Sequence, residues 1–263
     1  MLPGILRSTP IPLILASAFF FVAAYFPLRF PATPGAGLLS LLATITIALP
    51  AVVGLFRFLG PRGAMLSILM LTVFAYGIEA LGVATGFPYG EFYYGDSLGP
   101  KVFGLVPYLL PVSYLPLVVA AVAAAWRPRR RLCQIFGAAV LLTLMDGVLD
   151  PGAAALGFWI WPEGGLYYGV PLGNYAGWLF SGALAATIMV LIGHWREPPH
   201  PMMLDSAIIA VAFWTGTAIF VFLPVPALLG AALFLYLLHR RSQLSRNKHT
   251  HFDAVVNKPG SGW

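Results

Sequence analysis

The sequence is a succession of long apolar runs separated by short polar or glycine-rich segments. Seven runs reach the length of about 20 residues that an α-helix needs to cross a lipid bilayer. They cover residues 11–28, 38–59, 64–85, 103–126, 132–149, 174–195 and 204–223. Only 9% of the residues are charged, against about 25% in a soluble domain. The sequence therefore predicts an all-α fold, a polytopic transmembrane helix bundle.

An eighth apolar run, 227–239, is short for a full crossing, so the count is seven or eight spans. The distribution of positively charged residues between the two sides of the membrane helps to choose between these counts. With alternating spans, the side of the N-terminus receives eight arginines before residue 200, and the opposite side receives only Arg29 and Lys101. This bias predicts a cytoplasmic N-terminus in the cell membrane. Eight spans would place the basic C-terminal end inside as well and are favoured, as one membrane domain, 1–239, followed by a disordered cytoplasmic tail, 240–263.

Two loops rich in glycine and aromatic residues, 86–100 and 157–173, share the extracytoplasmic face in this topology. A shift of 71 residues places Glu79 on Asp150 and aligns the Gly-Phe pair that opens each loop. After a three-residue insertion, the Tyr-Tyr-Gly triplets of the two loops also coincide. The alignment predicts a parallel internal repeat of two-span units, 64–126 and 132–195. Such a repeat would bring both loops and their acids together around a pseudo-two-fold axis.

Glu79 and Asp146 lie inside the third and fifth predicted spans, and the fifth ends at Asp150. An acid at the centre of a membrane helix costs about 2.5–3.5 kcal/mol on insertion scales, so intramembrane acids are functional candidates. Asp146 and Asp150 are four residues apart and share a helix face. A carboxyl group withdrawn from water favours its protonated form and can serve as a general acid. The alternative is that each acid only joins helices as a satisfied polar group. Asp96, in the first loop, is a further candidate.

Aromatic residues are concentrated in and beside the two loops. They are Tyr89, Phe92, Tyr93, Tyr94, Phe158, Trp159, Trp161, Tyr167, Tyr168, Tyr175 and Trp178. Their faces can stabilise a cation, although some belong to the aromatic belt of the membrane interface. We expect a substrate pocket lined by Tyr89, Tyr93, Tyr94, Trp161, Tyr167 and Tyr168. Asn174 could orient a water molecule in it or cap the sixth span, and capping is favoured.

The sequence lacks the motifs of several common enzyme classes. The sequence has no phosphate-binding loop, no dinucleotide fingerprint, no HExxH and no GxSxG elbow. Its single cysteine, Cys133, and scattered histidines predict no metal site. Asp146 and Asp150 have the spacing of half a prenyltransferase motif, but a second aspartate-rich motif is missing. The net charge of +6 sits in short clusters that orient spans, so no nucleic-acid partner is expected.

The loops and the paired aspartates lie in two segments, FPYGEFYYGDSLGPKVFGLVP and LMDGVLDPGAAALGFWIWPEGGLYYGVPLGNYAGW. These segments resemble the membrane carotenoid-biosynthesis hydratases. That family includes carotenoid 1',2'-hydratases (γ-carotene 1'-hydroxylases) and bisanhydrobacterioruberin hydratases. The resemblance covers about Thr72 to Trp178. It includes Asp-x-x-x-Asp-Pro at Asp146–Pro151 and Pro-Leu-x-Asn at Pro171–Asn174. It implies cofactor-independent addition of water across the terminal C1–C2 double bond of an acyclic carotenoid. The implied partners are this hydrophobic substrate, the lipid bilayer and other carotenoid enzymes.

The residues suggest roles for such a reaction. We expect Asp146 or Asp150 to protonate C2, aromatic faces to hold the tertiary cation at C1, and Glu79 and Asp96 to act on the water and the cation. A related isoprenoid enzyme is the first alternative, either a prenyltransferase or a carotenoid cyclase that ends the same protonation by ring closure. The second is a proton-coupled transporter whose intramembrane acids relay protons. Product mass separates hydratase from cyclase, and activity in detergent micelles would exclude transport.

Overall fold

The computed structural model describes residues 9–31, 34–193 and 195–256, with side chains up to residue 247. Within these ranges the chain is helical except for four two-residue strands and their loops. The elements are α1 (Ile11–Ala23), α2 (Tyr25–Arg29), α3 (Ala36–Thr85), β1 (Tyr93–Tyr94), β2 (Lys101–Val102), β3 (Val106–Pro107), α4 (Leu110–Ala124), α5 (Arg131–Ala155), β4 (Trp159–Ile160), α6 (Leu172–Ile192), α7 (Asp205–Phe220) and α8 (Pro224–Val256). Single 3₁₀ turns lie at Asp96–Leu98 and Pro201–Leu204. The predicted all-α class is confirmed.

Length and apolar composition mark five helical stretches in the described residues as able to cross a membrane. They are Ile11–Arg29, Ala36–Thr85, Arg131–Ala155, Leu172–Ile192 and Pro201–Phe220. Many large apolar side chains on these stretches point outward and are exposed, as expected of a surface that meets lipid. The protein is therefore a membrane protein. The count of seven or eight spans and the internal repeat stay predictions.

Helix α3 has 50 residues, about 75 Å at 1.5 Å per residue, against a hydrocarbon core of about 30 Å. Gly60, just before Pro61, has the non-helical angles φ 69° and ψ 174° and breaks the helix there. The break separates the second and third predicted spans. The fourth predicted span differs more, since α4 begins only at Leu110. The residues before it form a hairpin in which Lys101 pairs with Pro107 and Val102 with Val106.

Helix α4 is the centre of the bundle. Every residue from Tyr114 to Ala124 is buried, and the helix contacts α3, α5, α6, α7 and α8. A helix that is apolar all round is expected in such a position. A second, smaller core joins the two glycine-rich loops to the end of α3 and includes Ile78, Tyr89, Phe92, Tyr94 and Trp161. The candidate site lies where these two cores meet.

At the opposite end of the bundle, α8 continues through residue 240 to Val256, within the segment that the sequence predicts to be a disordered tail. Arg240 donates from Nε to the carbonyl of Ala124, 2.8 Å away, and so satisfies an end group of α4. Arg241 is buried and binds the buried Asp205 through Nε at 2.5 Å and Nη2 at 3.2 Å. These contacts explain why the basic segment is helical here. Residues 257–263 of the predicted tail lie outside the described residues.

Replacing Arg241 with methionine is expected to lower the free energy of unfolding by about 3–5 kcal/mol, because the Asp205 carboxylate is left buried without its partner. Unfolding by sodium dodecyl sulfate in detergent micelles, followed by circular dichroism, measures the change. Arg131→Met, at an exposed arginine, is the matched control and should change stability little. The double variant D205L/R241M should recover most of the loss; no recovery would contradict this account.

Candidate active site

A cavity of about 70 Å³ lies between the start of α4, the ends of α3 and α5, the start of α6 and the two loops. Its lining combines three acids with seven aromatic side chains and a few aliphatic and small polar side chains. The lining residues are Glu79, Tyr89, Phe92, Tyr94, Leu110, Ser113, Tyr114, Leu117, Asp146, Leu149, Asp150, Trp159, Trp161, Asn174 and Trp178. No lysine or arginine is among these described residues. The volume admits a few water molecules and is far too small for a whole carotenoid.

Glu79 stands near the C-terminal end of α3 and is buried. The hydroxyl of Tyr94, from the first loop, donates to its Oε2 at 2.7 Å. Burial, together with the nearby Glu79 charge, raises the pKa of the Tyr94 hydroxyl well above its ordinary value, so Tyr94 remains a neutral donor. A fixed donor of this kind holds the orientation of the Glu79 carboxyl group.

Asp146 and Asp150 project from one face of α5, as their spacing predicts, and both are buried. The amide of Asn174 bridges them: its Nδ2 donates to Asp146 Oδ2 at 3.2 Å and to Asp150 Oδ2 at 2.5 Å. Asp150 Oδ1 also accepts from the indole Nε1 of Trp159 at 2.8 Å. The favoured interpretation of Asn174 as a helix cap is wrong, because α6 begins after Pro171 with no side-chain cap. Its amide is used on the acids instead.

The two loops are joined by the β1–β4 strand pair, in which Tyr93 faces Ile160 and Tyr94 faces Trp159. The amide of Gly95 extends the pairing by donating to the carbonyl of Phe158 at 2.8 Å. Tyr94 and Trp159, the two partners in register, each hold one acid of the cavity. The strand pair therefore fixes Glu79 relative to Asp150 across the site.

The structure brings together seven of the residues predicted for the site. They are Glu79, Tyr89, Tyr94, Asp146, Asp150, Trp161 and Asn174.

Four others do not line the cavity. Asp96 is exposed and its carboxylate binds Lys101 at 3.1 Å, while the Tyr93 side chain is 48% exposed. The Tyr167 hydroxyl donates to the carbonyl of Gly147 at 3.1 Å, and the Tyr168 hydroxyl accepts from the amide of Val225 at 3.4 Å. The charged Asp96 side chain remains hydrated at the protein surface, outside the cavity.

Tyr114 is the aromatic residue of the cavity lining that the sequence analysis does not single out. It lies in the first turns of α4, only 3% exposed, with its ring centroid 5.8 Å from that of Trp178. The available signal was a tyrosine inside the long apolar run 103–126, which also contains Tyr108. Tyr89 shows how such a hydroxyl can be satisfied, since it donates to Ser181 Oγ at 3.0 Å.

Carboxyl groups inside a buried, aromatic cavity suit one kind of chemistry. A protonated carboxyl can give its proton to a substrate, an ionised one can receive a proton, and ring faces stabilise positive charge between the two events. Among the described residues, no group of three or more His, Cys, Asp and Glu side chains is arranged to hold a metal ion. The geometry fits proton transfer to and from an apolar molecule.

Comparison with known proteins agrees with this picture. Residues 35–237 match the family described as carotenoid biosynthesis proteins. A bisanhydrobacterioruberin hydratase from Haloarcula japonica is 42% identical over 208 residues, which cover 73% of this chain and 70% of the relative. No solved structure shows a significant match. The matched region contains the three acids of the cavity, both loops and every other residue of the cavity lining, so this chain belongs to the carotenoid biosynthesis protein family.

Proposed function

We propose that this protein is a carotenoid hydratase that adds water across the terminal C1–C2 double bond of an acyclic carotenoid end group, giving a tertiary alcohol. The observation that carries the proposal is the convergence of Glu79, Asp146 and Asp150 on one aromatic cavity. The name of the Haloarcula japonica relative supports the reaction class. Charged groups this costly inside a membrane helix are expected to serve function.

Asp146 is the proposed proton donor. Both oxygens of Asp150 accept hydrogen bonds from N–H groups, of Trp159 and Asn174, and surroundings that supply only donors suit an ionised carboxylate. Asp146 accepts only the longer bond from Asn174, and its buried Oδ1 has no hydrogen-bond partner in the described part of the chain. A proton on this oxygen can be transferred to C2 of the substrate without breaking a bond to the protein.

The remaining steps follow from the positions of the other groups. Protonation at C2 uses the electrons of the C1–C2 double bond and leaves a tertiary cation at C1. The rings of Phe92, Trp161 and Trp178 line the cavity and would stabilise this cation. Water then bonds through its oxygen to C1 and releases a proton to Glu79, whose orientation Tyr94 fixes. Asp150 supplies a second negative charge beside the cation.

The substrate's size agrees with the shape of the site. Only the chain end fits the cavity, so the rest of the carotenoid would lie among the outward-facing apolar side chains and lipid. In this arrangement the protein is a cell-membrane enzyme that needs no cofactor. The arginine distribution supports a cytoplasmic N-terminus, with the cavity on the extracytoplasmic side. Neighbouring carotenoid enzymes are its natural partners, since substrate and product are both insoluble in water.

Expression in a host that accumulates an acyclic carotenoid tests the function. The expected result is a new pigment heavier by one water for each hydrated end, detected by mass spectrometry of the extracted carotenoids. The empty vector is the control. A new pigment of unchanged mass would mean cyclisation, and no new pigment despite folded protein in the membrane would contradict the proposal.

A further inference from the structure

Five buried side-chain polar atoms have no hydrogen-bond partner within the part of the chain that the structure describes: Ser17 Oγ, Tyr114 hydroxyl, Asp146 Oδ1, Trp161 Nε1 and Tyr175 hydroxyl. Leaving such an atom unpaired costs about 1–3 kcal/mol, and most proteins leave very few. Three of the five, on Tyr114, Asp146 and Trp161, line one small cavity. Their coincidence there points to a small polar guest.

The three groups have complementary hydrogen-bonding capacity. The indole of Trp161 is a donor only, the hydroxyl of Tyr114 both donates and accepts, and the carboxyl oxygen of Asp146 accepts or, when protonated, donates. Tyr114 and Trp161 are only 3% and 8% exposed. A molecule that both donates and accepts, such as water, suits all three groups, and the cavity they line has room for it. A polyene alone would satisfy none.

We infer that Tyr114 and Trp161 form a subsite for the reacting water, which also receives the tertiary hydroxyl of the product. The inference rests on the proposed function; it adds Tyr114 to the catalytic residues and gives the indole N–H of Trp161 a second role. Its consequence concerns the fate of the C1 cation. A water held in place captures the cation by forming the C1–O bond and losing a proton to a carboxylate. Without this water, the cation loses a proton from C2 and the original double bond returns.

Purified enzyme in detergent, supplied with an acyclic carotenoid in D₂O, distinguishes these two fates. Deuteration leaves C2 with one hydrogen and one deuterium. Loss of that hydrogen from the cation leaves deuterium in the recovered substrate, whereas capture by water yields the alcohol. Tyr114→Phe removes one O–H and keeps the ring, whereas Trp161→Phe removes the indole N–H and leaves a smaller phenyl ring. For each variant we expect alcohol formation to fall about ten-fold, the effect of one hydrogen bond. The ratio of deuterated substrate to alcohol should rise about ten-fold.

Tyr175→Phe is the matched control. Its hydroxyl is also buried and unpartnered in the described residues, but it is not part of the cavity lining, so the ratio should not change. If deuteration and alcohol fall together in Tyr114→Phe, this hydroxyl serves proton donation or folding and the inference is wrong. The inference is also wrong if the Tyr114 and Trp161 variants form alcohol at the wild-type rate and with the wild-type ratio of deuterated substrate to alcohol. If wild-type enzyme forms no alcohol, the proposed function itself fails.

Discussion

Replacing Asp146 with asparagine is expected to lower the rate of water addition at least about a hundred-fold, the lower range for loss of a general acid. Asparagine has nearly the same shape, and its carbonyl oxygen can keep the bond that Asp146 Oδ2 accepts from Asn174. It carries no proton that it can transfer to carbon. The loss would therefore arise in the chemical step. It is measured as the amount of alcohol formed by equal amounts of purified wild-type and variant protein.

Two further variants are needed to interpret the activity of Asp146→Asn. Asp150→Asn should also reduce activity, but by replacing an anion that accepts from Trp159 and Asn174. In D₂O it should retain some deuterium transfer to substrate, whereas Asp146→Asn should lose it. Asp96→Asn, at the exposed acid that pairs with Lys101, is the control and should keep activity within about two-fold. Full deuterium transfer in Asp146→Asn would exclude Asp146 as the proton donor.

The sequence was sufficient to predict the membrane class and the acids. Length and hydropathy define apolar helices because unpaired backbone groups are so costly in lipid. The cost of burying a carboxyl group likewise singles out Glu79, Asp146 and Asp150, and the four-residue spacing places the two aspartates on one face. These inferences depend only on local periodicity and solvation. They hold however the helices are arranged.

The arrangement of the loops could not be predicted in the same way. The predicted repeat aligns the Tyr-Tyr-Gly triplets of the two loops, but Tyr94 pairs with Trp159 rather than with a residue of the second triplet. Strand register depends on contacts between distant segments, and a two-residue strand has no periodicity to reveal it. Asn174 was misinterpreted for a similar reason: its type and place near a helix start favour a cap, while its actual partners lie on another helix.

Exposure of the loop residues was equally hard to predict. Tyr93 and Tyr94 are adjacent and chemically identical, yet only Tyr94 is buried in the site. Successive side chains of a strand point to opposite faces, so which tyrosine enters the cavity depends on the register of the pair. The sequence identifies the chemistry of this site more reliably than its geometry.

Replacing Gly95 with alanine is expected to reduce activity about a hundred-fold, the scale of loss for a displacement of about 1 Å in an active site. A Cβ atom at Gly95 would lie 2.1 Å from the carbonyl oxygen of Gly157, well inside the 3.0 Å that real Cβ contacts respect. The Gly95 φ angle of −63° suits any residue, so the requirement for glycine is one of space alone. Alanine must push the two loops apart.

The separation would act on the acids through the strand pair. Tyr94 and Trp159 would move in opposite directions, carrying their bonds to Glu79 and Asp150, while the helices that bear the acids stay in place. Gly173→Ala is the matched control, because a Cβ there meets nothing within 4 Å although Asn174 is its neighbour. Alcohol formation measures the loss, and circular dichroism and size-exclusion chromatography should show an intact helical bundle in both variants. Wild-type activity in Gly95→Ala would mean that the loops adjust without disturbing the acids, and the strand pair would then have no part in positioning them.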